Sequence, residues 1–330
     1  MKRVLKTIAA GAVAGVLATT VQAEMKSITI ATNPAGSTFF LLGGGFAKTL
    51  QEKLGIRATA QPQGGSSVYL PMINAGEMTM GLSSAMDVGF AFTGDGFPRA
   101  SSDVRTLGRI WTIPYAFITQ GNSGITKMED LKGKRVMGNM PTNVALTRLN
   151  IAMLKSGDLS TDDVNFVKSG GLIDGINAIV EGRADAAPIA VTMPALIEAN
   201  GAADGGIRVI ANGAMADEAF YGAEVKGTRL GEAKPNKRRA FITETVPIVN
   251  FDTLLVTSAS LSDDDAYKLI KTLHENWEQL REDYPPLRSV AQDKLALVDV
   301  TAPYHSGAIR YFKEVGLWTD AHEAKQASFK

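Results

Sequence analysis

Cysteine is absent from all 330 residues, so neither a disulfide framework nor a thiolate metal site is available. Histidine is nearly absent. The three present, His274, His305 and His322, sit late in the chain without metal-ligand spacing. No G-x-S-x-G nucleophile elbow occurs, and GNSG at 121–124 reads as a turn. The stretch GGGFAKT lacks the Gly-Lys pair of a phosphate loop, and the glycines do not fit G-x-G-x-x-G. The acidic runs Asp162-Asp163 and 263–265 fall at helix starts, where capping accounts for them. An excess of positive charge is missing too: 34 basic residues meet 34 acidic ones, with none of the clustering a nucleic-acid footprint needs. These absences argue against an enzyme, a metalloprotein and a nucleic-acid binder, and no cofactor is expected.

Long apolar runs are confined to the first residues. Lys2, Arg3 and Lys6 precede an apolar and small-residue run over 8–21, and Val21-Gln22-Ala23 supplies a small-x-small cleavage pattern. That order is the order of a secretory signal peptide. The run is shorter than the roughly 20 residues a membrane anchor needs. Cleavage after Ala23 is therefore expected, leaving an exported, periplasmic chain of 307 residues with 31 basic and 34 acidic side chains.

What the chain does have is a copy of itself at an offset of 106 residues. Residues 58–84 read ATAQPQGGSSVYLPMINAGEMTMGLSS, and residues 164–190 read VNFVKSGGLIDGINAIVEGRADAAPIA. Gly64-Gly65 fall on Gly170-Gly171, Ile73 on Ile179, Gly76 on Gly182, and Asn33 on Asn139. A unit used twice predicts two similar lobes and a cleft between them.

Coarse periodicity predicts an α/β chain. SITIA, IRATAQ and MTMGLSS read as strands around the helical stretches FFLLGGGFAKTLQEKL and SSVYLPMINAG; KRVMG, VNFVK and ADAAPIA repeat that order. Strands separated by helices imply parallel sheets. PIVNFDTLLVTS is strand-rich, and Ser262 opens a helical run with Asp265 placed as in a capping box. The chain is expected to make its first lobe over 24–113, cross near Trp111 and Tyr115, make its second over 114–252, and return near Phe251 to complete the first over 253–330. Ligands of open α/β sheets bind beyond the strand carboxyl ends. Six loops answer to that position, at 33–38, 64–67, 83–87, 139–143, 170–174 and 188–192, and they are rich in hydroxyls with only Asp87 and Asp174 charged. Either these residues cap helices or they hold an anion through hydroxyls and backbone amides.

Ordered motifs then meet a known family. GSTFFLLGGGFAKTL, ATAQPQGGSSVYLPMINAGEMTMGLSSAMD, GITKMEDLKGKRV and YHSGAIRYFKEVG together resemble the TAXI family, the solute-binding subunits of tripartite ATP-independent periplasmic (TRAP) transporters. The resemblance implies a two-lobed type II periplasmic-binding-protein fold, with parallel-rich sheets flanked by helices and a ligand cleft between lobes. It implies a monomer that captures a small organic anion, a carboxylate such as a dicarboxylate or acidic amino acid, by clamshell closure and delivers it to TRAP membrane subunits. Ligand contacts carried over are Ser37, Thr38, Phe39, Ser66, Ser67 and Asp87, the hinge aromatic Trp111, then Pro141, Thr142 and Asn143, with Val191 and Thr192 from the 188–192 loop. The chain departs from the family at GNMPTNVAL, where the family has G-P-x-G-S-G-T, and a larger or less charged solute would suit that change. A ligand sensor presenting its solute to a membrane receptor, or an ABC-type binding protein, are the alternatives the sequence leaves open.

Overall fold

Strand β1 (Ser27–Thr32) buries Ile28 and Ile30 completely, then buries both faces at Ala31 and Thr32 as it enters the sheet centre. This computed structural model describes residues 25–329, so the expected signal segment lies outside the described residues. Helix α1 (Thr38–Leu54) starts at Ser37, whose hydroxyl accepts the N–H of Phe40 at 3.2 Å, and stops at Gly55 with φ 69°. Its buried stripe is Leu42, Phe46 and Leu50, whereas Leu41 is 52% exposed. The triple glycine has a packing cause. A Cβ on Gly43 would collide with Thr32, and one on Gly45 would sit 2.5 Å from the Tyr284 ring.

The first copy of the repeat continues as β2 (Arg57–Pro62), α2 (Ser66–Asn74), β3 (Met80–Ser84) and α3 (Ala85–Thr93). The long strand β4 (Val104–Gln120) follows. The second copy is β5 (Arg135–Asn139), α4 (Val144–Ser156), β6 (Asn165–Lys168), α5 (Leu172–Val180) and β7 (Ala187–Ala190), followed by α6 (Ala195–Ala202) and β8 (Ile207–Ile210). Helices α2 and α5 start and end 106 residues apart, and the copied glycines copy their conformation: Gly65 and Gly171 have φ 152° and 146°, Gly76 and Gly182 have φ 75° and 67°. Then come α7 (Glu218–Glu224), β9 (Thr228–Ala233) and the second long strand, β10 (Val246–Ser258).

One mixed sheet has the order β2-β1-β3-β10-β4-β7, with β8 also on β4 and β9 also on β10. Only β1 with its neighbours β2 and β3 pairs in parallel; β10 and β4 run antiparallel to each other and to β3, β7, β8 and β9. The expectation of parallel sheets therefore holds among β1, β2 and β3 and fails wherever β4 or β10 pairs, β7 included. From sequence β10 reads as strand-rich and β4 only as a crossing point, and their antiparallel pairing is not foreseen. Strands β5 and β6 pair in parallel in a small sheet of their own.

Strands β4 and β10 lie side by side along their length, with Tyr115 opposite Val249, Ile113 opposite Phe251 and Trp111 opposite Thr253. Register shifts follow at Thr253/Leu254 and Leu255/Val256, where bulges increase the local bend. On this ladder Asp252 is buried, accepts the Thr112 hydroxyl at 2.6 Å and is clasped by Arg229 at 2.6 and 3.2 Å, with Arg109 at 3.7 Å. A large core packs α1, α2 and α3 on the sheet, and a smaller one gathers Ile176 and Ile179 of α5, Ile189, Leu196, Val209 and Ile248. The tail adds α8 (Asp263–Glu275), α9 (Trp277–Asp283), α10 (Ser306–Glu314) and α11 (Asp320–Ala327). At α8 the Ser262 hydroxyl accepts the N–H of Asp265 at 3.0 Å and donates to its carboxylate at 2.8 Å, so the side chains pair with each other rather than forming the full reciprocal box. No helix among the described residues is long and apolar enough to cross a membrane.

Candidate functional site

A cavity of about 550 Å³ opens where the loops after β1, β2 and β3 meet those after β5, β6 and β7. All six loops singled out from sequence contribute to its wall. Eight expected residues line it: Ser37, Thr38, Phe39, Ser66, Asp87, Trp111, Thr142 and Asn143. Four do not. Ser67 and Thr192 are half-buried outside the lining, Pro141 is exposed, and Val191 is buried in the smaller hydrophobic core. In their place Ala190, Met193, Pro194 and Ala195 form that part of the wall.

Backbone geometry decides what the hydroxyls do. Ser37, Ser84 and Asn143 accept the N–H groups of Phe40, Asp87 and Leu146 at 3.2, 3.0 and 2.9 Å, so their oxygens already serve as helix caps. Helices α2 and α5 differ. Their cap positions are Gly65 and Gly171, no side chain caps them, and both glycines line the cavity. Free N–H groups at those two starts are placed to meet an acceptor oxygen on a solute.

Beyond Phe39 and Trp111, sequence reading missed the apolar and aromatic half of the wall. Ile113 and Tyr115 share the face of β4 that carries Trp111, and Phe251 stands opposite Ile113 on β10. Trp111 meets Phe39 edge-on with centroids 5.8 Å apart, and Tyr115 meets Phe251 likewise at 5.7 Å. Met140, Leu146, Leu172, Ile173 and Met193 complete the lining. The strand alternation 111-113-115 was the available signal, and so was the repeat register, which places Leu172 and Ile173 where the first copy has Ser66 and Ser67. Tyr115 is fully buried and donates its hydroxyl to Asn150 at 2.9 Å; burial pushes its pKa well above the usual phenol range.

Charge in the wall is of one sign. Asp87 and Asp174 line the cavity, and no Lys, Arg or His among the described residues does. Asp174 is solvent-facing, accepts the N–H of Gly170 at 2.9 Å and has Arg183 3.9 Å away. Asp87 is buried: Oδ2 accepts the hydroxyls of Ser84 at 2.6 Å and Ser66 at 3.1 Å, and Oδ1 has no partner among the described residues. Burial raises its pKa to about 6, and the two serine hydrogen bonds oppose the rise. The histidines stand elsewhere: His305 caps α10 by accepting the N–H of Gly307 at 3.1 Å, and His274 meets the Tyr311 hydroxyl at 2.9 Å.

A sequence model of the NMT1-like family matches residues 30–316. The chain belongs to the NMT1-like family. Among solved structures it is similar to PhnD1 from Prochlorococcus marinus (MIT 9301) in complex with methylphosphonate, at 9% identity and a TM-score of 0.57, covering 89% of this chain and 99% of that one. It is also similar to the alkanesulfonate-binding protein SsuA from Xanthomonas axonopodis pv. citri bound to MOPS, at 17% identity and a TM-score of 0.50, covering 94% and 86%. An ancestral arginine-binding protein bound to arginine matches at 14% identity and a TM-score of 0.50, covering 79% and 98%. At such identities the likeness is one of fold. The NMT1-like chain has an α/β periplasmic-binding-protein fold, with a mixed sheet flanked by helices.

The family match and these neighbours overturn the resemblance to the TAXI family. TRAP membrane subunits as partners, and a carboxylate anion as solute, fall with it. The physical reason is visible in the wall. The glycine pairs and serines that carried the resemblance are fold devices, shaping two helix starts and capping others.

Proposed function

We propose that the chain is an exported solute-binding protein of an ABC-type importer. In this reading residues 24–113 with 253–330 form one lobe, residues 114–252 form the other, and the two close over the solute by bending β4 and β10. NMT1-like membership and the fold neighbours support the importer assignment, and the basic-then-apolar start of the chain supports the periplasm. The observation that carries the reading is the cavity itself. It is built from both copies of the repeat, and one uncapped helix start from each copy lines it beside an aromatic and aliphatic wall.

Such a site takes a small organic solute with an acceptor-rich group at the starts of α2 and α5 and an apolar body against Trp111, Phe39 and Phe251. Sulfonates and phosphonates, the ligand classes of two structural neighbours, carry such groups. Thermal melts of the mature protein against sulfonates, phosphonates, amines, amino acids and sugars test it. A solute at about 100 times its dissociation constant stabilises by about 2.7 kcal/mol, roughly a few degrees for a protein of this size. Uptake into vesicles carrying the cognate permease must then depend on ATP and on this protein. A panel without a single stabilising solute, or uptake driven by an ion gradient alone, overturns the assignment.

A further inference from the structure

One carboxylate oxygen in the cavity wall has nothing to bind. Asp87 is 1% exposed, its Oδ2 is held by Ser66 and Ser84, and its Oδ1 has no donor among the described residues. Asn33, in the same wall, also carries a buried Oδ1 without a partner. A buried acceptor left unpaired costs stability, and a buried charge left unpaired costs more. No cationic side chain among the described residues lines the cavity to meet it. The clasp on Oδ2 fixes the carboxylate, so Oδ1 is a pre-positioned acceptor on the side of the first repeat copy.

We propose that Asp87 is the specificity-determining residue of the cavity, and that its Oδ1 selects solutes carrying an ammonium or another strong N–H donor. This rests on the solute-binding reading above and deepens it. The solute is then two-ended: an acceptor group faces the uncapped starts of α2 and α5, a donor reaches Asp87, and the aromatic wall holds the body between. Zwitterionic aminosulfonates and aminophosphonates have this form. A hydrogen bond to a charged group contributes about 1.5–3 kcal/mol, so a donor-bearing solute binds roughly ten- to a hundredfold more tightly than its donor-free counterpart.

Two measurements test the proposal on the mature protein, refolded from denaturant to strip bound solute. The first compares ligand-free melting of wild type and Asp87→Asn at pH 8. A recognition carboxylate retained at a cost to stability predicts a higher melting temperature for the variant. A lower one makes Asp87 a structural group and overturns the proposal. The second titrates matched pairs, taurine against ethanesulfonate and 2-aminoethylphosphonate against ethylphosphonate, within the broad panel. Wild type should favour the amine of each binding pair at least about tenfold, and Asp87→Asn, which removes the charge, should lose that preference. Equal binding of donor-bearing and donor-free solutes overturns the proposal and leaves solute binding intact. A panel with no binder overturns both. Asp87→Ser, which keeps a hydroxyl for Ser66 and Ser84 and removes the charge, replaces the asparagine variant if that variant does not fold.

Discussion

At the residue scale the decisive side chain is Asp87, and its consequences extend to pH. Its pKa in the folded protein is raised to about 6 from the ordinary value of 3.8, chiefly by burial. A raised carboxyl pKa means that the folded state holds the proton more tightly than the unfolded state does. The associated stability is present below the unfolded pKa and is lost as pH rises through the folded one. Ligand-free wild type should therefore lose stability relative to Asp87→Asn between about pH 4 and pH 6, and the gap should be constant above about pH 7. Two pKa units correspond to about 3 kcal/mol. Urea melts of both proteins across this range check it; a gap independent of pH removes the unpaired carboxylate from the account. Asp87 was legible in the sequence as an acid within a hydroxyl-rich loop. Its burial was not, because that depends on how α3 packs against α2. The anion expectation came from counting small polar side chains, and the hydroxyls of Ser37 and Ser84 and the amide oxygen of Asn143 serve as helix caps.

At the scale of elements the repeat was the most legible feature. Two helix starts with glycine at the cap were visible as GG pairs 106 residues apart, and both glycines adopt a φ that a side chain strains. Their surroundings differ, which gives a paired prediction. A Cβ on Gly171 meets nothing within 4 Å, whereas one on Gly65 falls 2.8 Å from the Thr142 carbonyl. Gly171→Ala should cost about 1–3 kcal/mol in backbone strain. Gly65→Ala should cost that much and also weaken solute binding, because its methyl group pushes against a loop of the other repeat copy. Denaturant melts and solute titrations of the two variants separate these effects. Strands β4 and β10 were less legible, since the sequence marks a long connecting strand no differently from a short one.

Their pairing also places a charge where sequence gave no warning of it. Asp252 is joined to β4 through Thr112 and Arg109 and to β9 through Arg229. Removing one member of a fully buried ion pair costs about 3–5 kcal/mol. Arg229 is 38% exposed, and solvent screening reduces the figure, so Asp252→Ala should cost about 1–3 kcal/mol. A loss below about half a kcal/mol in denaturant melts would show that the arginines are rescued by water.

At the scale of the whole molecule the two repeat copies touch beyond the cavity, and that contact bears on how long a solute stays. Arg148 of α4 forms a two-pronged ion pair with Asp95, which follows α3, and its guanidinium lies 4.5 Å from the centre of the Phe90 ring. Hydrogen bonding from Arg148 holds the Asp95 carboxyl below its usual pKa. The pair is solvent-exposed, so it adds little to global stability. Its position is what matters: it joins residues 24–113 to residues 114–252. Under the proposed closure of the two lobes, loss of the clasp would favour the open form, and affinity changes of this kind show mainly in the dissociation rate. Arg148→Ala should melt close to wild type yet release its solute severalfold faster, with association nearly unchanged. Stopped-flow release of a bound solute gives the rate, and small-angle scattering of the ligand-free variant should show a larger radius of gyration. If release is unchanged and the radius is that of wild type, the clasp is a surface ion pair with no part in closure.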